Sequence, residues 1–406
     1  NIRLSLQMSV RCSIFGEKTV EKFIYSIIIV FIVAEFLLDF LLEYLNKRNG
    51  NAPVPKVLSD VVDAEQRSKT KAYRHAQYRF DRVQSSFSFL AILCLLVFGA
   101  FSFLNTWVEQ ITVTPLLQTL LFFSVLAFAM EITGLPFAYY HTFGIEERFG
   151  FNKSTVKTFV LDTIKGWGLG LVLGGGLLSL IFIVWQKTGS FFWILAWLLV
   201  SAISIFMAMF YSQLIVPMFN KQQPLAPGSL RSAIEAFSEK AGFQLENIYT
   251  IDGSKRSTKA NAYFTGLGSQ KRIVLYDTLL EQLTEDEVVA VLAHEVGHYK
   301  HKHVLAQLFQ GILQTGLMFF LLSFVISNET VAASIGVNQP SFHIGVLVFG
   351  LLYTPVSMLL GVLTNLYSRK CEFEADAFVK PFGLAASLVS ALKKLTVKNL
   401  SNPTPH

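Results

Sequence analysis

The sequence predicts a mainly α, polytopic membrane protein of about seven transmembrane helices, carrying a small α+β unit ahead of the sixth. Three observations predict it: an apolar composition, spanning-length apolar runs separated by loops of alternating charge, and an H-E-x-x-H segment at His294 to His298. Of 406 residues, 52% are hydrophobic, 15% are charged and 37 are Phe. Mean hydropathy is +0.47. A soluble domain of this composition would expose large apolar patches, whereas a bilayer accommodates them. The net charge of +6 raises nucleic acid as a partner, but the basic residues are spread over loops between apolar runs. The lipid bilayer is therefore the expected partner and nucleic acid is not.

Apolar stretches of spanning length lie at about Phe23 to Leu45, Phe87 to Trp107, Pro115 to Phe137, Trp167 to Trp185, Phe191 to Leu214, His303 to Ile326 and Phe342 to Leu366. The loops after the first, third and fifth are rich in Lys and Arg, as at Lys47, Arg48, Arg67, Arg148, Lys153 and Lys221 onward. Val108 to Thr114 and Ser327 to Ser341 contain neither, and the fourth loop has only Lys187. Basic loops stay in the cytoplasm, which places the His294 segment and the C-terminus there. The expected divisions are a membrane region at 1–220, a cytoplasmic metallopeptidase unit at 221–302, two further spans at 303–366 and a C-terminal helix at 367–406. Glu35, Asp39 and Glu43 recur every four residues in the first span. For Glu35 and Asp39 an interior or interhelix role is expected, and Glu43 is read as interfacial.

The three cysteines, Cys12, Cys94 and Cys371, have no paired or C-x-x-C spacing, so neither a disulfide framework nor a thiolate zinc site is expected. Cys371 is expected to face a reducing compartment. The first apolar run is long enough to remain in the membrane, so no cleavable signal peptide is expected.

Residues 221–302 form the one polar stretch long enough for a small folded unit between spans. Its pattern reads as a helix near Ser229 to Lys240, β-prone runs at Asn247 to Ile251, Ala260 to Phe264 and Arg272 to Tyr276, then an amphipathic helix. That last helix has a capping box at Thr284 and Glu287, acidic residues at Glu285 and Asp286, and an apolar face of Val288, Val289, Val291, Leu292 and Val296. Residues i and i+4 share a helix face, so His294 and His298 can bind one Zn²⁺ per chain while Glu295 reaches water and acts as general base. The alternative is a His-rich amphipathic helix at a membrane surface. His301 and His303 continue the segment and are expected at the surface or interface. Glu146, Glu147 and Arg148 are expected in ion pairs on the rim, and His141 in either substrate contact or a structural hydrogen bond.

Two histidines leave zinc short of protein ligands. If the last span continues as a helix through Ser368 to Asp376, Glu372 and Asp376 share a face: Glu372 can bind metal, and Asp376 can bond a ligand histidine or the reacting group. Glu374 then points away. A charged helix end at the membrane surface is the competing account.

The chain resembles the type I CAAX prenyl proteases, integral-membrane zinc endopeptidases. The residues that carry the resemblance are Ala34 to Asp39, Leu135 to Phe143, Ile145 to Lys153, Asn261 to Gly266, the H-E-x-x-H itself, and Ser368-Arg369 with Glu372 to Asp376. The resemblance implies zinc at His294, His298 and Glu372, catalysis by Glu295, and a supporting or proton-donating role for Asp376. It implies substrate pairing along Asn261, Ala262 and Tyr263, and peptide or protein substrates, prenylated where such substrates exist. It also implies seven helices around a chamber with the active site at its cytoplasmic end, in the endoplasmic reticulum of a eukaryote or the inner membrane of a bacterium. Family members usually continue past Asn399 to Asn402 into a Ser-His-Pro element, so this chain, opening on Asn and stopping at Pro405-His406, is expected to be a fragment.

Two other functions fit parts of the pattern. A general membrane-protein quality-control metalloprotease would use the same metal site. A transporter or non-catalytic scaffold would suit intramembrane carboxylates, but leaves the H-E-x-x-H and E-x-x-x-D motifs unexplained. No motif fixes an oligomeric state.

Overall fold

The structure, a computed structural model, describes residues 2–49, 55–242, 248–266 and 272–402, with side chains from 18 onward. Asn1, Asn247 and Pro405-His406 lie outside the described residues, as does the Cys12 side chain. In chain order the helices of the first half are α1 (Ile2–Asn49), α2 (Ala64–Val97), α3 (Ala100–Ile111), α4 (Pro115–Tyr139), α5 (Val156–Leu169), α6 (Gly175–Thr188) and α7 (Phe192–Leu214). Next come β1 (Gln222–Pro224), α8 (Ser229–Lys240), β2 (Ile248–Ile251), β3 (Ala262–Thr265), β4 (Arg272–Tyr276), α9 (Asp277–Gln282) and α10 (Glu285–Lys300). The chain ends with α11 (His303–Val325), α12 (Glu329–Ser334), α13 (Phe342–Val379) and α14 (Ala385–Lys398).

Among the described residues, six helical stretches are long and apolar enough to cross a membrane. One of them, Val156–Met218, runs 63 residues and reverses at Gly189, whose φ of +52° only glycine adopts freely. Its α5–α6 rod and α7 are two crossings, making seven. The second span differs from expectation: Gly99 (φ +65°) breaks it after Val97, so the crossing is α2, beginning back at Ala64, while α3 is a separate short helix.

These crossings close a ring in chain order. α1 packs on α2, α4 on α6, α6 on α7, α7 on α11, α11 on α13, and α13 back on α1. The remaining link, α2 to α4, is made by Phe80 and Phe87 against the ring of Phe137. A helix in a solid bundle buries an apolar stripe at least about 100° wide. Here only 6–17% of each spanning window is buried. The accessible surface of 23308 Å² also exceeds the roughly 16,000 Å² of a compact chain of this mass. The ring is hollow.

Its end far from the peptidase unit is closed by polar packing: buried His343 at the start of α13 bonds Asn105 of α3 at 2.8 Å and lies tilted against Phe122 of α4, ring centroids 4.7 Å apart. At the other end sits a four-stranded sheet of order β1-β2-β4-β3, with β2 and β4 parallel and the outer pairs antiparallel. One core joins this sheet to α8 and α10 through Ile234, Phe237, Ile273, Leu275, Leu292 and Val296, and reaches Val379 of α13 and Leu388 of α14. The metal-type helix is thus clamped from several sides. Burial at about 25 cal/mol per Å² makes such clamping, rather than helix propensity, the main source of its rigidity.

The sheet unit is tied to the membrane helices by part-buried charge. Lys259 bonds Glu146 at 2.7 Å and the Tyr73 hydroxyl at 2.9 Å, and Tyr73 in turn donates to Glu146 at 2.6 Å. Arg256 makes a forked pair with Asp162 of α5. Glu146 is therefore paired as expected, while Glu147 instead accepts from Asn152. His141 lies 4.0 Å from Glu146 and against Phe80. Glu43, read as interfacial, forms an ion pair with Arg82 of α2, whose guanidinium covers Phe40. Cys94 and Cys371 are free thiols.

Candidate active site

α10 starts where its sequence says it should: the Thr284 N–H donates to Glu287 at 2.8 Å, and the Thr284 side chain accepts in return. Glu287 does more than cap. It is buried and accepts from Ser390 at 2.7 Å and Lys394 at 2.8 Å on α14. Burial alone would raise its pKa, but Lys394, Ser390 and the Thr284 N–H together hold it down at about 2.

One turn apart on α10, His294 and His298 bring their Nε2 atoms within 3.1 Å of each other. α13 continues unbroken past the membrane span, so Glu372 projects toward them, 3.4 Å from His294 Nε2 and 3.7 Å from His298 Nε2. Atoms about 2.0–2.1 Å from one tetrahedral ion lie about 3.3 Å from each other. The His294, His298 and Glu372 set therefore fits a single ion of zinc size. Two neutral imidazole lone pairs meeting at that separation repel each other unless a cation lies between them.

The close approach of α10 and α13 depends on Gly297, the second x of the motif. A Cβ there would meet Ala375 Cα at 3.0 Å, Ala375 O at 3.1 Å and Phe378 Cβ at 3.1 Å. Any larger residue would push these backbones apart by a few tenths of an ångström.

Glu295 is rotated off the ligand face and toward the sheet, where the Phe264 N–H bonds its carboxylate. Burial pushes its pKa up to about 7, assisted by Glu372 and opposed by His294 and that N–H. A carboxylate poised near neutrality suits proton transfer. The same bond lies at the open edge of the sheet: β3 is the outer strand, and Phe264 turns its N–H away from β4. Strand period two makes Ala262 do likewise. Asn261 spends its carbonyl on Tyr276 N–H and its side chain on Ala262 N–H. Tyr263 points to the other face, against Tyr276 and Gln222.

Asp376 bonds His294 Nδ1 at 2.9 Å, which puts the Nδ1 proton toward the carboxylate and leaves Nε2 free. His303 is not at the surface. Helix α10 ends at Lys300, Lys302 turns through a left-handed conformation (φ +59°), and His303 opens α11 folded back on His298, 2% exposed. His298 and His303 share a 3.1 Å Nδ1 to Nδ1 contact, and His303 Nε2 meets Glu374 at 2.9 Å. Glu374 therefore does not point away from the site. Sequence spacing gave no signal of this, because the turn at Lys302 is not encoded by glycine or proline.

Residues 43–221 match the model of the CAAX prenyl protease N-terminal region with five membrane helices, and residues 224–405 match peptidase family M48. The CAAX prenyl protease 1 homolog of Arabidopsis thaliana is 37% identical over 358 residues, covering 86% of this chain and 84% of that protein. The chain belongs to the CAAX prenyl protease family. It is an integral-membrane metalloendopeptidase with several crossings. The CAAX prenyl protease 1 of Saccharomyces cerevisiae is 34% identical over 376 residues, covering 86% of this chain and 83% of its own. The crystal structure of S. mikatae Ste24p superposes with a TM-score of 0.89 at 32% identity, covering 94% of both chains. These matches agree with the fold class expected from sequence.

Proposed function

We propose that this chain is a zinc endopeptidase that cleaves near the C-terminus of membrane-associated proteins, removing the C-terminal tripeptide of prenylated substrates. The observation that carries this reading is the meeting of His294, His298, Glu372 and Glu295 beside the open edge of β3, at one end of a hollow apolar ring. A lipid chain attached to the substrate would lie against the apolar spanning helices, while the extended peptide adds a strand along Asn261, Ala262 and Tyr263. His294, His298 and Glu372 would hold the ion. When bound, zinc supplies Lewis-acid polarisation of the scissile carbonyl and makes water easier to deprotonate. Glu295 accepts the proton of the attacking water and delivers it to the leaving amine, with no covalent intermediate. Asp376 fixes the His294 ring and so acts as a positioning residue.

The Lys and Arg bias of the loops supports a cytoplasmic site. The membrane would be the endoplasmic reticulum in a eukaryote and the inner membrane in a bacterium. The test is Glu295→Gln, with cleavage of a farnesylated C-terminal peptide followed by mass spectrometry. The variant keeps its zinc and loses cleavage; proteolysis at the wild-type rate rejects the mechanism. Cleavage of unprenylated membrane proteins at internal sites, with the farnesylated peptide untouched, would favour quality control instead.

A further inference from the structure

We infer that His303 and Glu374 are positioning residues that set the tautomer of His298 and so hold its Nε2 lone pair on the metal site. This rests on the reading of His294, His298 and Glu372 as the ligand set. Glu374 is a carboxylate that accepts from His303 Nε2 at 2.9 Å, so the neutral His303 ring carries its proton on Nε2 and a lone pair on Nδ1. That lone pair faces His298 Nδ1 at 3.1 Å, so His298 must donate through Nδ1. Nε2 of His298 is then unprotonated and aimed at His294 Nε2 and Glu372. The arrangement answers the one at His294, where Asp376 takes the Nδ1 proton directly. One ligand ring is held by a carboxylate and the other by a carboxylate acting through a second imidazole.

The packing supports an oriented ring rather than a free one. His303 is 2% exposed and stacks on His301 with centroids 5.4 Å apart and planes 13° from parallel. Glu374 is held in turn by Lys370 at 3.7 Å. His301, His303 and Glu374 also lie close enough together to suggest a second cation site. The relay argues against one. A metal on His303 Nε2 would move that ring's proton to Nδ1, facing His298 Nδ1, and drive the His298 proton onto Nε2, off the first site. Filling the second group would therefore empty the first.

The experiment measures zinc affinity by chelator competition, metal stoichiometry, and the visible spectrum of the cobalt-substituted full chain in detergent. Loss of a partner behind a ligand histidine costs about 10- to 100-fold in metal affinity. Glu374→Leu and His303→Leu should both show a loss in that range and an altered cobalt spectrum. Glu374→Gln, whose amide oxygen accepts the same hydrogen bond, should stay within about threefold of wild type. His303→Gln, which presents an acceptor and a donor on one carbon, should recover much of the loss. Glu374 is on the surface side of α13, so its variants report even if a His303 variant fails to fold. Wild-type zinc affinity and spectrum in Glu374→Leu would overturn the relay while leaving the metal site standing, and so would two tightly bound zinc ions per chain. A wild-type chain that binds no zinc would overturn the site reading and the relay together.

Discussion

Replacing Gly297 by Ala tests whether the contact between α10 and α13 sets the metal geometry. The added Cβ would sit 3.0–3.1 Å from Ala375 and Phe378, most of it against backbone that cannot rotate away. Reaching ordinary contact needs roughly 0.4 Å of separation. His294 and His298 ride on one helix and Glu372 on the other, so the 3.4 and 3.7 Å gaps widen by a similar amount. That exceeds the tolerance of about 0.2 Å on metal–ligand distances. Pulling the helices back together around an ion then costs the overpacking penalty of about 1–3 kcal/mol, a loss of roughly 5- to 150-fold in zinc affinity. Fold stability should change less, because Ala gains about 1 kcal/mol over Gly in a helix. Chelator competition reads the affinity and thermal unfolding reads the fold. Gly311→Ala on α11, where a Cβ meets nothing within 4 Å, is the control and should leave affinity unchanged. Zinc affinity within twofold of wild type in Gly297→Ala would refute the argument.

Ala262→Pro removes the outward N–H of β3, which the Asn261 side chain caps and an added strand would take over, without touching the ladder to β4, so KM for a peptide substrate should rise about 2- to 12-fold with kcat little changed; an unchanged KM would show that the edge does not bind substrate. Glu287 has its pKa lowered from 4.5 to about 2, so its contribution is complete above pH 4.5 and disappears as pH falls through 2. The shift corresponds to about 3 kcal/mol. Glu287→Gln should therefore unfold earlier than wild type at pH 7, with the gap closing toward pH 2; a gap independent of pH would sink the assignment. Lys259→Met leaves Glu146, 13% exposed, without its cation. It should lower the unfolding temperature by a few degrees for a loss of about 1–3 kcal/mol, and Glu146→Gln in the same chain should recover part of it. Additive losses would mean that the pair is not coupled.

Much of this architecture was legible in the residues themselves, because a bilayer imposes length and polarity on each helix separately. Hydropathy located most crossings, but it began the fourth at Trp167 where the helix starts at Val156, and it failed at Gly99, where a left-handed residue splits an apolar run that composition reads as continuous. Capping by Thr284 and Glu287, the strands at β2 to β4 and the shared faces of His294 with His298 and of Glu372 with Asp376 are all local, set by the 3.6- and 2-residue periods. The sequence by itself determined which side chains could bind a metal. Only tertiary structure decided that they meet, since residues 294 and 372 are joined by the hollow ring and by the glycine contact between α10 and α13. Folding also reassigned His303 and Glu374. A turn at Lys302 brings one onto His298, and the other lies beside it on α13, because hydrogen-bond partners are chosen by distance in space and leave no period in the chain.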